Sequence, residues 1–339
     1  MKITGLIAIA VVSIFVGFAV AEGAANICSE TADALFVACK AGVKDDSFVM
    51  KAKCLNLTDS SERADCFAEL ASDKKDGLDL CAGQRDTRLE TCKLLGPGPY
   101  DPQLNPAGFD SDFTNLTNPN PYFPLTIGYQ WKFEGGGEVN VVDVLNETKL
   151  INGIRCIVFQ DQVFVNGNLT ESTNDWYAQA LNKNAWYFGE ETGEYETFEG
   201  DNPQKPELVN IDGSFKAGRD LDKGGIIFLG NPHPGDVYLE EFSLGNAEDA
   251  TVILSTNYSY GNDSELDQFV PKQLADRFCS GNCVVTKNFS LLEPGIFARK
   301  YYAQGVGVIL EVEINPDGNT VSQLVDCNFD SRCTGLPTP

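Results

Sequence analysis

The hydrophobic rhythm of the chain changes along its length. Ile3 to Val20 runs without a charge. From Cys28 to Leu95 apolar positions are interleaved with lysine, glutamate and alanine, and proline is absent, which predicts helix. The one interruption is Asn56-Leu57-Thr58-Asp59-Ser60-Ser61-Glu62, where polar capping residues precede an acid. This is a helix start, so two helices are expected, at about 29–56 and 60–95, joined by a short turn. Gly96 to Pro121 is rich in Pro, Asn and Asp and reads as a linker or irregular segment.

From Tyr122 the period shortens. Glu138 to Val144 alternates in part, and Ile154–Val165 and Thr251–Tyr258 are rich in β-branched and aromatic residues. Turn pairs punctuate these runs: Asn152-Gly153, Asn166-Gly167, Asp212-Gly213 and Asp317-Gly318. Roughly ten to twelve strands are expected, with one further helix at Pro271–Phe278. The fold class is therefore α+β: a disulfide-stapled antiparallel helical hairpin, then a large, mostly antiparallel sheet, strongly curved or closed into a partly open barrel.

Met1-Lys2 precede the first apolar run, and Ala19-Val20-Ala21 closes it with a small-x-small signature. This is the layout of a secretory signal peptide cleaved after Ala21. A retained anchor is the alternative, because the run is near spanning length, but only Lys2 would orient it. The expected parts are a signal peptide at 1–21, the hairpin at 22–97, the linker at 98–121, the β-domain at 122–326 and a C-terminal tail at 327–339. No later segment is apolar enough to cross a bilayer.

Eleven cysteines behind a signal peptide read as disulfides of an extracellular, cell-surface or periplasmic protein. Zinc is disfavoured, since His233 is the only histidine. The first six cysteines, Cys28, Cys39, Cys54, Cys66, Cys81 and Cys92, have palindromic spacing. Opposed residues on two antiparallel helices of equal rise have a constant sum of residue numbers. The pairs Cys28–Cys92, Cys39–Cys81 and Cys54–Cys66 meet that condition, and they centre on the turn that the capping residues mark. Of the other five, Cys279 and Cys283 flank Ser-Gly-Asn, and Cys327 and Cys333 enclose a short loop near the end. Two local bridges are expected there, with Cys156 a buried free thiol in a strand. The competing scheme bridges Cys156 to Cys279 or Cys283.

Lysine and arginine number 25 against 49 aspartates and glutamates. The imbalance is uneven: residues 22–96 carry 14 acidic and 10 basic side chains, whereas from Pro97 on there are 35 and 14. Nucleic acid and anionic membranes are poor partners for such a surface, and divalent cations or a basic protein are better ones.

The motifs Tyr122-Phe123-Pro124-Leu125, Gly128 and Trp131, then Trp176-Tyr177-Ala178-Gln179, Trp186-Tyr187-Phe188-Gly189-Glu190 and Lys300-Tyr301-Tyr302-Ala303 resemble a widespread family of secreted, mostly bacterial proteins with no established activity. Members with a six-cysteine helical front end are similar over almost the whole mature chain. The resemblance implies a half-barrel of the lipoprotein-carrier kind and an extracytoplasmic location, and it supplies no catalytic residues. The sequence departs from simpler members at Cys279–Cys283, where they have a short Pro/Gly turn.

No nucleophile motif, Cys/His pair or phosphate loop is present, so no catalytic residues are named. His233 lies between prolines in an exposed turn. Trp131, Trp176, Tyr177, Trp186, Tyr187 and Phe188 are candidates to line an apolar pocket, with ordinary sheet core as the plain alternative. Glu190, Glu191, Glu194 and Glu196 form the densest acidic run and are weak candidates for calcium, the one cofactor considered. Sequons stand at Asn56, Asn115, Asn146, Asn168, Asn257, Asn262 and Asn288, sites for glycosylation in a host that performs it.

Two functions of different classes follow. The first is a secreted, non-catalytic binding or carrier module for an apolar or amphipathic, lipid-like ligand. The second is a structural or adhesive glycoprotein with a calcium-binding acidic surface. A hydrolase using a carboxylate pair is a third.

Overall fold

The computed structural model describes residues 26–339, so the expected leader and its cleavage point lie outside the described residues. Helix α1 spans Ile27–Leu55 and α2 spans Ser60–Leu95. Asn26 caps the first by accepting the Ser29 N–H at 3.1 Å. Asp59 caps the second by accepting the Ser61 and Glu62 N–H groups at 2.7 and 3.0 Å. Each such cap contributes about 1 kcal/mol.

The two helices bury very little between them: Ala32, Cys54, Cys81, Arg88, Thr91 and Cys92. Three disulfides take the place of a core. Cys28–Cys92, Cys39–Cys81 and Cys54–Cys66 hold the Cα atoms 5.7, 5.7 and 5.6 Å apart, so the helix spacing is nearly constant along the ladder. Gly77 lets the backbones approach, since a Cβ there would sit 3.0 Å from a Val43 methyl.

The base of the hairpin docks on the sheet through a buried ion pair. Arg88 donates Nε to Glu248 Oε2 at 2.8 Å and Nη2 to Oε1 at 2.7 Å. Gln84 adds a bond to the Leu292 carbonyl at 2.9 Å. Replacing Arg88 with methionine is expected to destabilise this junction by about 3–5 kcal/mol, because Glu248 is left charged and buried. Faster proteolysis at Gly96–Pro99, with the sheet still folded, is the readout. Unchanged cleavage would show that the pair does not hold the hairpin in place.

The described residues contain fifteen strands: β1 Gln130–Gly135, β2 Glu138–Ile151, β3 Ile154–Val165, β4 Asn168–Gln179, β5 Ala185–Glu196, β6 Glu207–Asn210, β7 Phe215–Lys216, β8 Lys223–Phe228, β9 Val237–Leu239, β10 Glu241–Phe242, β11 Asp249–Tyr258, β12 Cys283–Ser290, β13 Phe297–Ala303, β14 Gly307–Ile314 and β15 Thr320–Cys327. A short helix, α3 (Lys272–Phe278), precedes β12. The extra strands over the ten to twelve expected include segments of two to four residues, too short to show a period. Asn152-Gly153 and Asn166-Gly167 have positive φ at both residues, which makes them the tight turns of the β2–β3 and β3–β4 hairpins.

All pairings are antiparallel, in the order β10-β8-β5-β4-β3-β2-β1-β15-β14-β13-β12-β11-β9. The two ends of this path, β9 and β10, are separated in sequence by Glu240 alone. The chain therefore steps from one sheet edge to the other at that residue, and the sheet is nearly closed into a barrel. Gly225 of β8 permits the close approach at this seam, since a Cβ there would lie 2.0 Å from the Glu240 carbonyl oxygen.

The Pro/Asn-rich segment ahead of β1 is packed on the barrel. Asp110 N–H and Leu181 N–H exchange backbone bonds with Gln179 and Gly108, and Leu104 and Phe109 cover an apolar cluster containing Cys156, Val158, Trp176 and Phe188. Asn120 donates to the carbonyls of Lys183 and Leu229. Cys156 is free and buried under this cover, and burial holds its thiol well above the usual range. Cys279–Cys283 and Cys327–Cys333 are bridged locally.

Candidate functional site

Side chains from eight strands converge on one space inside the barrel: β1, β2, β3, β4, β8, β13, β14 and β15. The cavity measures about 230 Å³. Its apolar wall comprises Trp131, Phe133, Phe159, Tyr177, Tyr302 and Val308, with Phe123 and Pro124 supplied by the segment before β1. Its polar groups are Asn140, Asp161, Asp175, Lys300, Glu311 and Ser322. A smaller cavity of about 190 Å³ lies between the hairpin base and β9–β10, lined by Leu35, Tyr100, Phe242 and the Arg88–Glu248 pair.

Strand alternation decides which candidates reach the lumen. Neighbouring residues of a strand face opposite sides. Trp131 and Tyr177 line the cavity, and Tyr187 lies opposite Tyr177 in register, on the same face. Trp176, Trp186 and Phe188 pack in the outer cluster under Leu104 and Phe109. The six aromatics thus divide into three inward and three outward.

Most of the lumen's polar residues carry no motif, and sequence reading did not single them out. Tyr187 Oη lies 2.5 Å from Asp175 Oδ1 and 2.8 Å from Glu190 Oε2. One hydroxyl has one proton to donate, so one of the two carboxyls must keep its own proton to bond the tyrosine oxygen. Burial, with repulsion from Glu190 and Asp161, raises Asp175 well above the carboxylate range, and burial, with repulsion from Glu171 and Asp249, holds Glu190 at about 7. Asp161 accepts from Asn140 Nδ2 at 2.8 Å and is also raised to about 7, chiefly by burial.

Across the barrel, Thr251 Oγ1 donates to Glu240 Oε1 at 2.6 Å, and Asn288 Nδ2 donates to the same oxygen at 2.8 Å. Thr286 donates to Asn288 Oδ1. Thr286 lies opposite Lys300 in register, so this network shares the face of Lys300. Glu240, at the seam, is held at about 7 by burial. Lys300 is the only cation among the lining side chains; Glu311 stands 3.6 Å from its Nζ and raises its pKa.

The other candidates fall elsewhere. Glu191, Glu194 and Glu196 are exposed on β5, while Glu190 turns inward to Tyr187. Among the described residues no group of three or more His, Cys, Asp or Glu side chains is arranged to hold a metal ion. His233 is exposed, with Asp236 3.4 Å from its Nδ1. Six sequon asparagines, Asn56, Asn115, Asn146, Asn168, Asn257 and Asn262, are exposed. Asn288 is not: it is buried in the Glu240 network, and a glycan there would have to empty the barrel. A sequon reports three residues and not the face of the strand on which they lie, which is why that site misleads.

No protein-family model matches the chain, and no curated protein matches it. Two crystal structures are similar. One is a protein described as exported, with a YmcC-like fold, from Bacteroides fragilis; it is 12% identical, covers 62% of this chain and 99% of its own, and gives a TM-score of 0.34. The other is a protein described as a lipoprotein, from Parabacteroides distasonis; it is 10% identical, covers 62% of this chain and 100% of its own, and gives a TM-score of 0.31. Likeness at this distance assigns no function. The five disulfides point independently to an oxidising, extracellular environment. No helix of the described residues is long and apolar enough to cross a membrane.

Proposed function

We propose that the chain is a non-catalytic extracytoplasmic binding module whose barrel interior takes a small amphipathic molecule. The cavity is the observation that carries this reading. At about 230 Å³ it exceeds the ~150 Å³ that accommodates benzene in an engineered apolar core. It falls below the ~300–1,000 Å³ usual for drug-sized ligands. One ring or one short chain segment fits, and a two-chain lipid does not. The aromatic wall supplies apolar contact, and Lys300, Asn140 and the carboxyls around Tyr187 supply bonds for a polar end.

The Asp175–Tyr187–Glu190 group favours the acid–base reading to the extent that raised carboxyls mark working sites. Asp175, however, is 7% exposed and has its Oδ1 bonded to Tyr187. This arrangement keeps the proton within the protein, which supports binding over turnover.

Native protein is expected to bind a small apolar dye and to show a change in Trp131 fluorescence as it does so. Val308→Phe fills the lumen and is expected to weaken dye binding at least tenfold, at an overpacking cost of about 1–3 kcal/mol. Dye binding that survives this substitution unchanged places the site elsewhere. No binding by the wild-type chain sinks the reading and leaves the structural or adhesive alternative.

A further inference from the structure

We propose that one face of the hairpin docks on the surface of an anionic phospholipid bilayer. The chain as a whole carries a net charge of −24, but in one groove of the hairpin the only charged lining side chains are lysines. Lys40, Lys44 and Lys51 of α1 and Lys74 of α2 line one shallow groove with Phe48 and Phe67, and no carboxylate lines it. At 100° per residue, Phe36 and Leu55 continue the same stripe on α1, while Leu78 continues it on α2 as far as Arg85, whose guanidinium is paired with Asp33 at 2.6 Å. The opposite groove is mixed in charge: Asp46 and Asp73 line it together with Lys53 and Lys74.

Two apolar members of the stripe are unusually open for a folded protein, Phe48 at 59% exposed and Leu55 at 60%, while Phe36 and Phe67 are half-buried. The three disulfides hold these residues in place without a core to bury them. The stripe also looks away from the barrel. Gln84 and Arg88, which make the docking bonds, leave α2 roughly 60–120° from Arg85 and Leu78. From Phe36 to Leu55 the stripe runs about 30 Å. That is several Debye lengths at physiological salt, so the acidity of the barrel is screened along much of it.

A membrane surface is the occupant that these features match. Helices that lie in the interfacial plane carry lysine on the polar flank and phenylalanine and leucine toward the acyl boundary. The groove lysines are compact point charges without the fixed fork of arginine. They suit a fluid array of phosphates better than a fixed set of carboxylates on an acidic protein. The acidic surface of the β-domain excludes the rest of the molecule from the same bilayer, so docking would orient the barrel outward.

The test is flotation of the full disulfide-bonded chain with vesicles. Phosphatidylglycerol–phosphatidylcholine vesicles are expected to carry the protein at about 50 mM salt and to release most of it at about 500 mM. Vesicles of phosphatidylcholine alone are expected to bind far less. Lys44→Glu with Lys51→Glu is expected to weaken binding roughly hundredfold. Lys44→Glu alone is expected to cost about tenfold, and Lys53→Glu, the same single reversal on the other face, less than about threefold. Circular dichroism checks that each variant keeps its helices. No flotation at low salt, equal flotation with neutral vesicles, or equal loss from Lys53→Glu would each overturn the proposal. Concentration-dependent self-association abolished by Lys44→Glu, in the absence of vesicle binding, would reassign the face to a second copy.

Discussion

Reducing the native protein is expected to unfold the hairpin and spare the barrel. Far-UV circular dichroism should lose more than half of its helical signal, while near-UV signals from the buried tryptophans persist. Residues 27–95 form two long helices whose mutual burial is confined to a handful of side chains near the base and the cysteines themselves. Val37, Phe48, Val49 and Leu55 stay exposed, so hydrophobic burial along the arm is too small to offset chain entropy. The disulfides join residues 12, 42 and 64 apart, in nested loops. Closing loops of such size limits the unfolded state by about 3–4 kcal/mol each in the chain-entropy account. Cys39→Ser with Cys81→Ser removes the middle rung, and it is expected to fray the central turns of both helices into rapid amide exchange. The bridges of the barrel join residues only 4 and 6 apart, and the sheet has its own apolar core. Reduction should therefore leave the barrel folded. A helical signal that survives full reduction would show that packing, not the ladder, holds the arm.

The ladder was legible because helix geometry turns residue number into position. A constant rise makes the sum of paired numbers constant, and Asp59 marks the turn independently through its cap. The amphipathic charge of the same helices was not legible in a count. Residues 22–96 are close to neutral in total, and only the 100° projection separates Lys40, Lys44 and Lys51 from Asp45 and Asp46.

The barrel was legible as a set of strands and less so as a site. Asn-Gly turns and β-branched runs mark β2, β3 and β4 without ambiguity. Two-residue pairs such as β7 and β10 have no period to read, although β10 is what closes the sheet. Trp176 and Tyr177 look equivalent in a list of aromatics, yet they face opposite sides of one strand. Glu240 sits in no motif, and the motif that holds Lys300 gives no sign that its side chain faces a lumen. They become partners in one lumen only when β13 and the β9–β10 seam are brought into the same closed sheet, and residue types alone do not specify that closure.

Stability should fall as pH rises from about 5 to 8, the reverse of the usual carboxylate behaviour. Asp161, Glu190 and Glu240 are held at about 7, against ordinary values near 4. Between those limits the native state binds more protons than the unfolded chain. The resulting stability is fully present below about pH 4 and is lost as pH passes through 7. Asp330, lowered by Arg332, works in the other direction and loses its contribution only in strong acid. The groups that face Asp161 are Asn140 from β2, Glu171 from β4, Glu190 from β5 and Lys300 from β13, one cation against two acids. A raise of roughly three units sets a ceiling of about 4 kcal/mol per group. Because the three titrate within one coupled interior, about 5 kcal/mol in all is the expected size, or roughly 10 °C or more in Tm. Asp161→Asn keeps the shape and removes one proton site. It should raise Tm at pH 8 and change it little at pH 5, where the native carboxyl is already neutral. Lys300→Met should act in the opposite sense at pH 8, since Glu311 and Glu240 lose their one nearby cation. Thermal melts across this range check the sign directly: a Tm that is level or rising from pH 5 to 8, with Asp161→Asn neutral throughout, would mean that the lumen admits enough water to ionise its acids freely.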